Sequence, residues 1–112
     1  MELPEEGCIL RIFTREGERC EGQPLYEWLL LKAREDGLAG ATALRGMTGF
    51  GTHGRPHGFK IGKLEQDQPI VIEFVDRQEK LEHFLKSVTN RIGEALVTLQ
   101  EASVRFYRAR KV

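Results

Sequence analysis

A chain of 112 residues, with 40% hydrophobic and 30% charged residues, is typical of one soluble globular domain with a modest core. Its 17 basic and 17 acidic residues give a formal net charge of zero, which argues against general nucleic-acid binding but allows a local basic pocket. No apolar run is long enough to cross a bilayer and the acidic N-terminus lacks a signal region, so we expect a cytoplasmic protein.

The first part of the chain predicts a strand, a helix and a second strand. Residues 8–14 are rich in large apolar and β-branched side chains, which favours a central strand covered on both faces. Apolar residues then recur at helical spacing, and we expect this helix to begin at Pro24 and to end at Gly37. Residues 41–47 follow as the second strand.

The middle of the chain predicts an extended arm, a turn and a third strand. Residues 59–64 alternate apolar with polar or small side chains, as in an extended arm. Residues 65–69 are polar and end in proline, which is typical of a turn. Residues 70–75 form the clearest apolar run and predict a buried strand.

A second helix and a last strand complete the pattern. Asp76 followed by Glu79 resembles a capping box, and the apolar stripe behind it predicts a helix that ends at Gly93. We expect a short edge piece at residues 96–99 and the last strand at residues 103–108.

These elements are in the order β-α-β-β-α-β, which predicts a ferredoxin-like α+β fold: a four-stranded antiparallel sheet with two helices on one face. We expect a single domain over residues 1–112, with a core at about 7–108 and a long flexible loop at about 47–68. Strands that are apolar on both sides favour cover of the second sheet face by a neighbouring subunit.

The predicted loop is rich in glycine and lacks acids. Six of the twelve glycines lie between Gly46 and Gly62, and no acidic residue occurs from Arg45 to Lys63. Glycine backbones expose N–H groups that form concave anion sites, and nearby cations strengthen such sites. The segment therefore predicts a loop that binds an anion such as a phosphate. The alternative is a surface loop whose charges only confer solubility.

Four segments resemble one protein family. R-G-M-T-G-F-G at residues 45–51 is the most specific, and L-Y-E-W-L-L-L-K-A-R-E-D-G-L-A-G-A-T precedes it at residues 25–42. P-I-V-I-E-F-V-D at residues 69–76 and L-V-T-L-Q-E-A-S-V-R-F-Y-R at residues 96–108 follow. Together they resemble the PII-like family long catalogued as a domain of unknown function, over residues 7–108.

The resemblance implies a compact homotrimer whose sheets face inward and whose long loop contacts a partner. It implies a regulatory protein, not an enzyme, that needs no cofactor and binds an adenine nucleotide (AMP, ADP or ATP) in clefts between subunits. A membrane transport protein, such as a fluoride-export channel, is the implied partner. The chain departs from PII proteins after the second helix, where Gly93-Glu94-Ala95 replaces the glycine-lysine phosphate loop. Phosphate contacts would then come from the basic loop and the last strand.

The candidate nucleotide-binding residues combine cations, glycines and one ring: Arg45, Gly46, Gly49, Phe50, Gly51, Arg55 and Arg105. An arginine holds a phosphate through its fork of donors, although Arg45 would equally suit a salt bridge. Phe50 would either stack on a base or anchor the loop in the core, and we favour the anchor.

Two alternatives stay open. His53 and His57 lie four residues apart and suggest a metal-responsive trimer like the copper-tolerance proteins, although Gly54 and Pro56 argue against the helix that would join the two imidazoles on one metal. The other alternative is an interaction module without a small ligand. No H-E-x-x-H, G-x-S-x-G or Walker sequence occurs, which favours a protein without catalytic activity.

Overall fold

The computed structural model describes residues 6–50 and 67–110. In chain order its elements are β1 (Glu6–Arg15), β2 (Arg19–Cys20), β3 (Gln23–Pro24), α1 (Leu25–Glu35), β4 (Gly40–Arg45), β5 (Pro69–Asp76), α2 (Gln78–Val88), a 3-10 turn (Thr89–Arg91) and β6 (Leu96–Ser103). The main sheet has the order β4-β5-β1-β6 with antiparallel neighbours, and β2 and β3 form a small hairpin. This arrangement confirms the predicted ferredoxin-like fold with both helices on one face.

Alternate residues of the two central strands form the core. Leu10 and Ile12 of β1 and Ile72 and Phe74 of β5 are almost fully buried, and they face the helices. Each helix contributes a narrow apolar stripe to the same core. The stripes are Leu25, Leu29 and Ala33 of α1 and Leu81, Phe84 and Val88 of α2. The sheet order confirms the predicted central position of β1, but its second face, with Ile9 and Phe13, is only half-buried, so the predicted cover on both faces is absent within the described chain.

The ends of α1 differ slightly from the expectation. Pro24 is the N-cap residue and not the first helical residue, because its N–H-free backbone still belongs to the β2–β3 hairpin. The helix ends at Glu35, Asp36 is the C-cap, and Gly37 follows with a φ of 73°. Glycine adopts this left-handed conformation without steric cost, so the predicted role of Gly37 as a helix stop is confirmed.

The predicted capping box at Asp76 is wrong. The N-cap of α2 is Arg77, which makes no side-chain cap hydrogen bond. Asp76 is instead buried at the end of β5, where its Oδ2 accepts a hydrogen bond from the Ala39 N–H at 2.9 Å. Its Oδ1 accepts one from the Arg77 N–H at 2.7 Å. The carboxylate therefore ties the entry of β4 to the end of β5.

The positions of the outer strands also differ from the prediction. The last strand is Leu96–Ser103, so it includes the predicted edge piece at residues 96–99, whereas residues 104–108 of the predicted last strand lie beyond it. β4 ends at Arg45, and Met47 is 88% exposed after it. The helix α2 ends at Val88 and continues only as a short 3-10 turn, well before Gly93. Most of the predicted 47–68 loop, and the predicted arm at 59–64, lie outside the described residues.

Within the two described ranges, neither helix has the length and apolarity needed to cross a bilayer.

The core predicts a large cost for truncating Phe84. Its ring is 1% exposed and lies 4.9 Å, centroid to centroid, from the ring of Phe74. Phe84→Ala should lower the free energy of unfolding by about 3–5 kcal/mol in urea denaturation. Phe106 is 70% exposed and supplies the matched control, since Phe106→Ala should cost less than about 1 kcal/mol. Equal losses for the two variants would contradict this packing.

The buried thiol of Cys8 predicts a loss of stability in alkali. Burial, and then the carboxylates of Glu101, Glu79 and Glu82, raise the pKa of this thiol. The unfolded chain therefore releases the thiol proton at a lower pH than the folded protein does. The stability that this difference contributes is fully present below the unfolded-state pKa of about 8.5 and falls as pH rises above it. Urea unfolding at about pH 7 and about pH 10 should show a smaller alkaline loss in Cys8→Ala than in the wild type. Identical losses would refute the assignment.

Candidate functional site

Arg45 lies at an accessible corner of the sheet. It is the last residue of β4, which is an edge strand. Its side chain is 59% exposed, and its Nη2 donates a hydrogen bond to Oε2 of Glu16 at 2.5 Å. Glu16 is the first residue after β1. The salt bridge that the sequence left open for Arg45 is therefore present, and its partner is Glu16.

Residues on both sides of Glu16 contact the chain just before β5. Arg15 Nη1 donates to Oδ2 of Asp67 at 2.8 Å, and the Gly17 N–H donates to Oδ1 of the same carboxylate at 2.8 Å. We call Arg15, Glu16, Gly17, Arg45 and Asp67 the Glu16 cluster. One turn thus holds the chain on both sides of residues 51–66.

Backbone hydrogen bonds reinforce this arrangement. The Glu16 N–H donates to the carbonyl of Gln68 at 2.7 Å, and the Gly46 N–H donates to the carbonyl of Pro69 at 2.7 Å. A Cβ added at Gly46 would lie 3.0 Å from Pro69 Cγ, so a side chain there would crowd the proline ring. The role of Gly46 here is close approach, and its N–H would reach an anion only if the bond to Pro69 opened.

Six further predicted residues lie in or next to the predicted loop. Gly49 lies beside Pro69, where an added Cβ would be 4.0 Å from Cγ of the proline. Phe50 is 76% exposed, so the prediction that it anchors a loop in the core is wrong. Four further candidates lie outside the described residues: Gly51, His53, Arg55 and His57.

Arg105 does not lie near Arg45 within one chain. It follows β6, and its neighbour strand β1 pairs Glu6 with Ser103 at this end of the sheet. Arg45 lies on the opposite edge strand and at the other end, opposite Ile70. A pocket that contains both arginines would therefore need a second copy of the chain.

The sheet face opposite the helices, which we call the open face, carries a continuous apolar row. Strand pairing places its four members side by side across the sheet: Leu44, Val71, Phe13 and Leu96. The two outer members, Leu44 and Leu96, are 49% and 50% exposed. Antiparallel sheets that face water normally carry polar side chains on that side. The apolar row therefore marks a surface suited to another protein chain.

A polar row runs beside the apolar one. Thr42, Glu73, Arg11 and Thr98 are its successive members. Arg11 Nε donates to Glu73 Oε2 at 2.7 Å, and Arg11 Nη1 donates to Gln100 Oε1 at 2.6 Å. The charged groups on the middle of the open face therefore have partners within the chain.

A groove on the helical layer offers no excess of either charge. It has a volume of about 470 Å³ and includes Trp28, with the Arg91 guanidinium 5.8 Å from the ring centroid. Its lining has two cations, Lys32 and Arg91, and two acids, Glu21 and Glu35; Arg91 pairs with Glu21, and Lys32 pairs with Asp36. Among residues 6–50 and 67–110, no cluster of three or more histidine, cysteine or acidic side chains is placed to hold a metal ion.

Sequence reasoning found Arg45 but missed Glu16 and Asp67. Both acids lie outside the acid-free stretch, and the pairing of β5 with β1 on one side and with β4 on the other brings Glu16 to Arg45 and Asp67 to Arg15. The available signal was the polar run after β1, which fits a turn at the end of a central strand.

The chain is similar to several known proteins. A UPF0166 protein of Aquifex aeolicus (strain VF5) is 38% identical over 96 residues, covering 86% of this chain and 90% of the relative. The UPF0166 protein MJ1524 of Methanocaldococcus jannaschii is 35% identical over 77 residues, covering 69% and 70%.

Solved structures with little sequence identity have the same fold. CPII of Thiomonas intermedia K12, bound to ADP and bicarbonate, matches with a TM-score of 0.65 and 18% identity, covering 88% of each chain. A putative PII-like signaling protein (TTHA0516) of Thermus thermophilus matches with a TM-score of 0.63 and 16% identity, covering 93% of each chain. The fold is thus PII-like, as the resemblance implied.

The family model described as "Uncharacterized ACR, COG1993" (DUF190) matches residues 7–104. With this match and the two UPF0166 relatives, the chain belongs to the DUF190 family of PII-like proteins of unknown function.

Proposed function

We propose that this protein is a non-enzymatic regulatory protein that binds an adenine nucleotide at the interface between protomers. The observation that carries the proposal is the likeness to CPII, whose solved structures are described as bound to ADP, or to ADP and AMP, with bicarbonate. Those ligands are bound by CPII, and a likeness at 18% identity shows that this chain shares the fold. The chemistry of this chain must therefore support the ligand.

Arg45 supplies the phosphate-binding chemistry. A guanidinium presents several donors in one plane and forms short, charge-assisted hydrogen bonds to phosphate oxygens. Arg45 is more than half exposed and lies on an edge strand, so a second protomer beside β4 would turn this corner into a cleft. The same geometry allows Arg105 of a neighbouring copy to approach, which one chain alone does not permit.

The open face supports the homotrimer. The apolar row is half exposed at both ends, and a second copy would remove it from water. Each Å² of apolar surface buried in this way contributes roughly 25 cal/mol. Three open faces packed around one axis would leave the helices on the outside and would bring the β4 edge, which carries Arg45, beside a neighbouring protomer.

The other hypotheses stay predictions. His53 and His57 lie outside the described residues, so the metal-responsive trimer awaits a direct binding measurement. A fluoride-export channel as the partner also stays a prediction. In our proposal the segment after Arg45 contacts the partner and responds to the nucleotide.

A thermal-shift panel with AMP, ADP, ATP, adenosine and divalent metal ions tests the function. A ligand that binds only the folded state raises the melting temperature by mass action. We expect a shift with at least one adenine nucleotide. A shift with metal ions alone would favour the metal-responsive trimer, and no shift with any compound would favour the ligand-free module.

Arg45→Ala should weaken the binding of that nucleotide by tenfold or more. Loss of a hydrogen bond to a charged group costs about 1.5–3 kcal/mol, and about 1.4 kcal/mol is a factor of ten in affinity. Arg34→Ala is the matched control, because it removes an arginine from the last turn of α1. Titration calorimetry measures both variants. Unchanged affinity in a folded Arg45→Ala protein would remove Arg45 from the site.

Leu44→Glu should convert the trimer to smaller species. The substitution places a carboxylate in the apolar row, where burial of an unpaired charge is costly. Leu31→Glu is the matched control, since Leu31 is 51% exposed on α1 and Leu44 is 49% exposed on the open face. Light scattering after size-exclusion chromatography gives the mass of each. A monomeric wild type, or equal masses for the two variants, would refute the interface.

A further inference from the structure

We propose that Glu16 is an internal competitor of the nucleotide phosphate for Arg45. The inference rests on the proposed function and adds the group that a phosphate would have to displace from Arg45. In this structure Arg45 donates to the Glu16 carboxylate at 2.5 Å. A carboxylate and a phosphate can each accept two hydrogen bonds from one guanidinium. Glu16 and a phosphate group would therefore compete for the same donors of Arg45.

The pair is weak enough for a ligand to replace it. The two side chains are 59% and 26% exposed. Ion pairs with this exposure contribute little, because water competes for both groups and salt screens them. A phosphate group carries more charge than a carboxylate, and more oxygens, so it forms the stronger charge-assisted bonds. The phosphate would therefore displace Glu16 at a modest ligand concentration.

The surrounding contacts make the exchange local. Asp67 stays bound to Arg15 and to the Gly17 N–H, and the Glu16 N–H stays bound to the Gln68 carbonyl. Exchange at Arg45 therefore breaks one side-chain contact between the turn and the end of β4. The contacts between the turn and the start of β5 are kept. The end of β4 loses its side-chain contact with the turn but keeps its pairing with β5, including the Gly46 N–H bond to the Pro69 carbonyl.

Glu16 then sets the affinity of the site and links it to the end of β4. Without ligand, the Glu16–Arg45 pair holds the end of β4 against the turn. When the phosphate binds Arg45, the ion pair between Arg45 and Glu16 breaks, and the end of β4 loses this contact with the turn. This is a regulatory contact that needs no residue outside the described part of the chain.

Glu16→Gln tests the inference, with ADP as the probe in titration calorimetry. Removal of the competing charge should tighten ADP binding by about two- to fivefold, the range expected from the strength of exposed ion pairs. Adenosine has no phosphate, so its affinity should not change. Glu18→Gln is the matched control, because Glu18 lies on the same turn and pairs with Arg15 at 3.1 Å instead of with Arg45.

A double-mutant cycle separates competition from general repulsion. If Glu16 competes for Arg45, Glu16→Gln should have no effect on ADP affinity in the Arg45→Ala background. If its charge merely repels the phosphate, the tightening should persist there and should also occur in Glu18→Gln. Tighter ADP binding in the double mutant than in Arg45→Ala, or in Glu18→Gln than in the wild type, overturns the inference.

The outcomes also distinguish this inference from the proposed function. If the wild type binds ADP and Glu16→Gln binds it equally or more weakly, the competition is refuted and the nucleotide-binding function stands. If neither protein binds any adenine nucleotide, the proposed function fails and the competition fails with it. If only Glu16→Gln binds ADP, both are contradicted, because an exposed ion pair worth about a two- to fivefold change in affinity cannot abolish binding in the wild type.

Discussion

The pairing of β1 with β5 is the constraint on which the rest of the structure depends. These central strands place Leu10 opposite Phe74 and Arg11 opposite Glu73. Because side chains alternate along a strand, the first pair lies in the core and the second lies on the open face. A slip of one residue would exchange the faces and bury Arg11 and Glu73 under the helices, at a large cost in desolvation. This register therefore determines which face carries the apolar row.

The same register builds the candidate site. β1 ends at Arg15, directly opposite Pro69, so the turn that follows β1 must lie beside the chain that precedes β5. Glu16 and Gly17 meet Gln68 and Asp67 for this reason. β4 pairs with the other side of β5 and ends at the same level, which brings Arg45 to the turn. The Glu16 cluster is thus a consequence of strand ends that coincide.

Sequence patterns predicted the buried elements well and the exposed ones poorly. The central strands and both helices have a buried stripe that local periodicity detects. The β-branched and aromatic side chains of residues 103–108 predict the last strand there and only a short edge piece at residues 96–99, whereas the observed strand is Leu96–Ser103 and most of its side chains are exposed. Pairing with β1, not local composition, decides where an edge strand lies. Asp76 was assigned to a local cap because its bond to the distant Ala39 leaves no signal in the sequence.

In the candidate site, too, the local sequence indicates one residue, whereas its contact partners become evident only from the fold. For Arg45, which begins a stretch without acids, the sequence allows a phosphate contact or a salt bridge, and the structure shows a salt bridge on a side chain that is 59% exposed. Its acidic partner is 29 residues away, so the absence of acids along the chain does not mean their absence in space. Asp67 likewise lies just beyond the stretch and turns back towards Arg15. Arg45 begins a segment that has no acids of its own, yet it is paired with an acid of the turn after β1 and its side chain is still exposed. That combination suits a site whose internal contacts yield to a stronger anion, because an unpaired cation would bind anions without discrimination and a buried pair would not open.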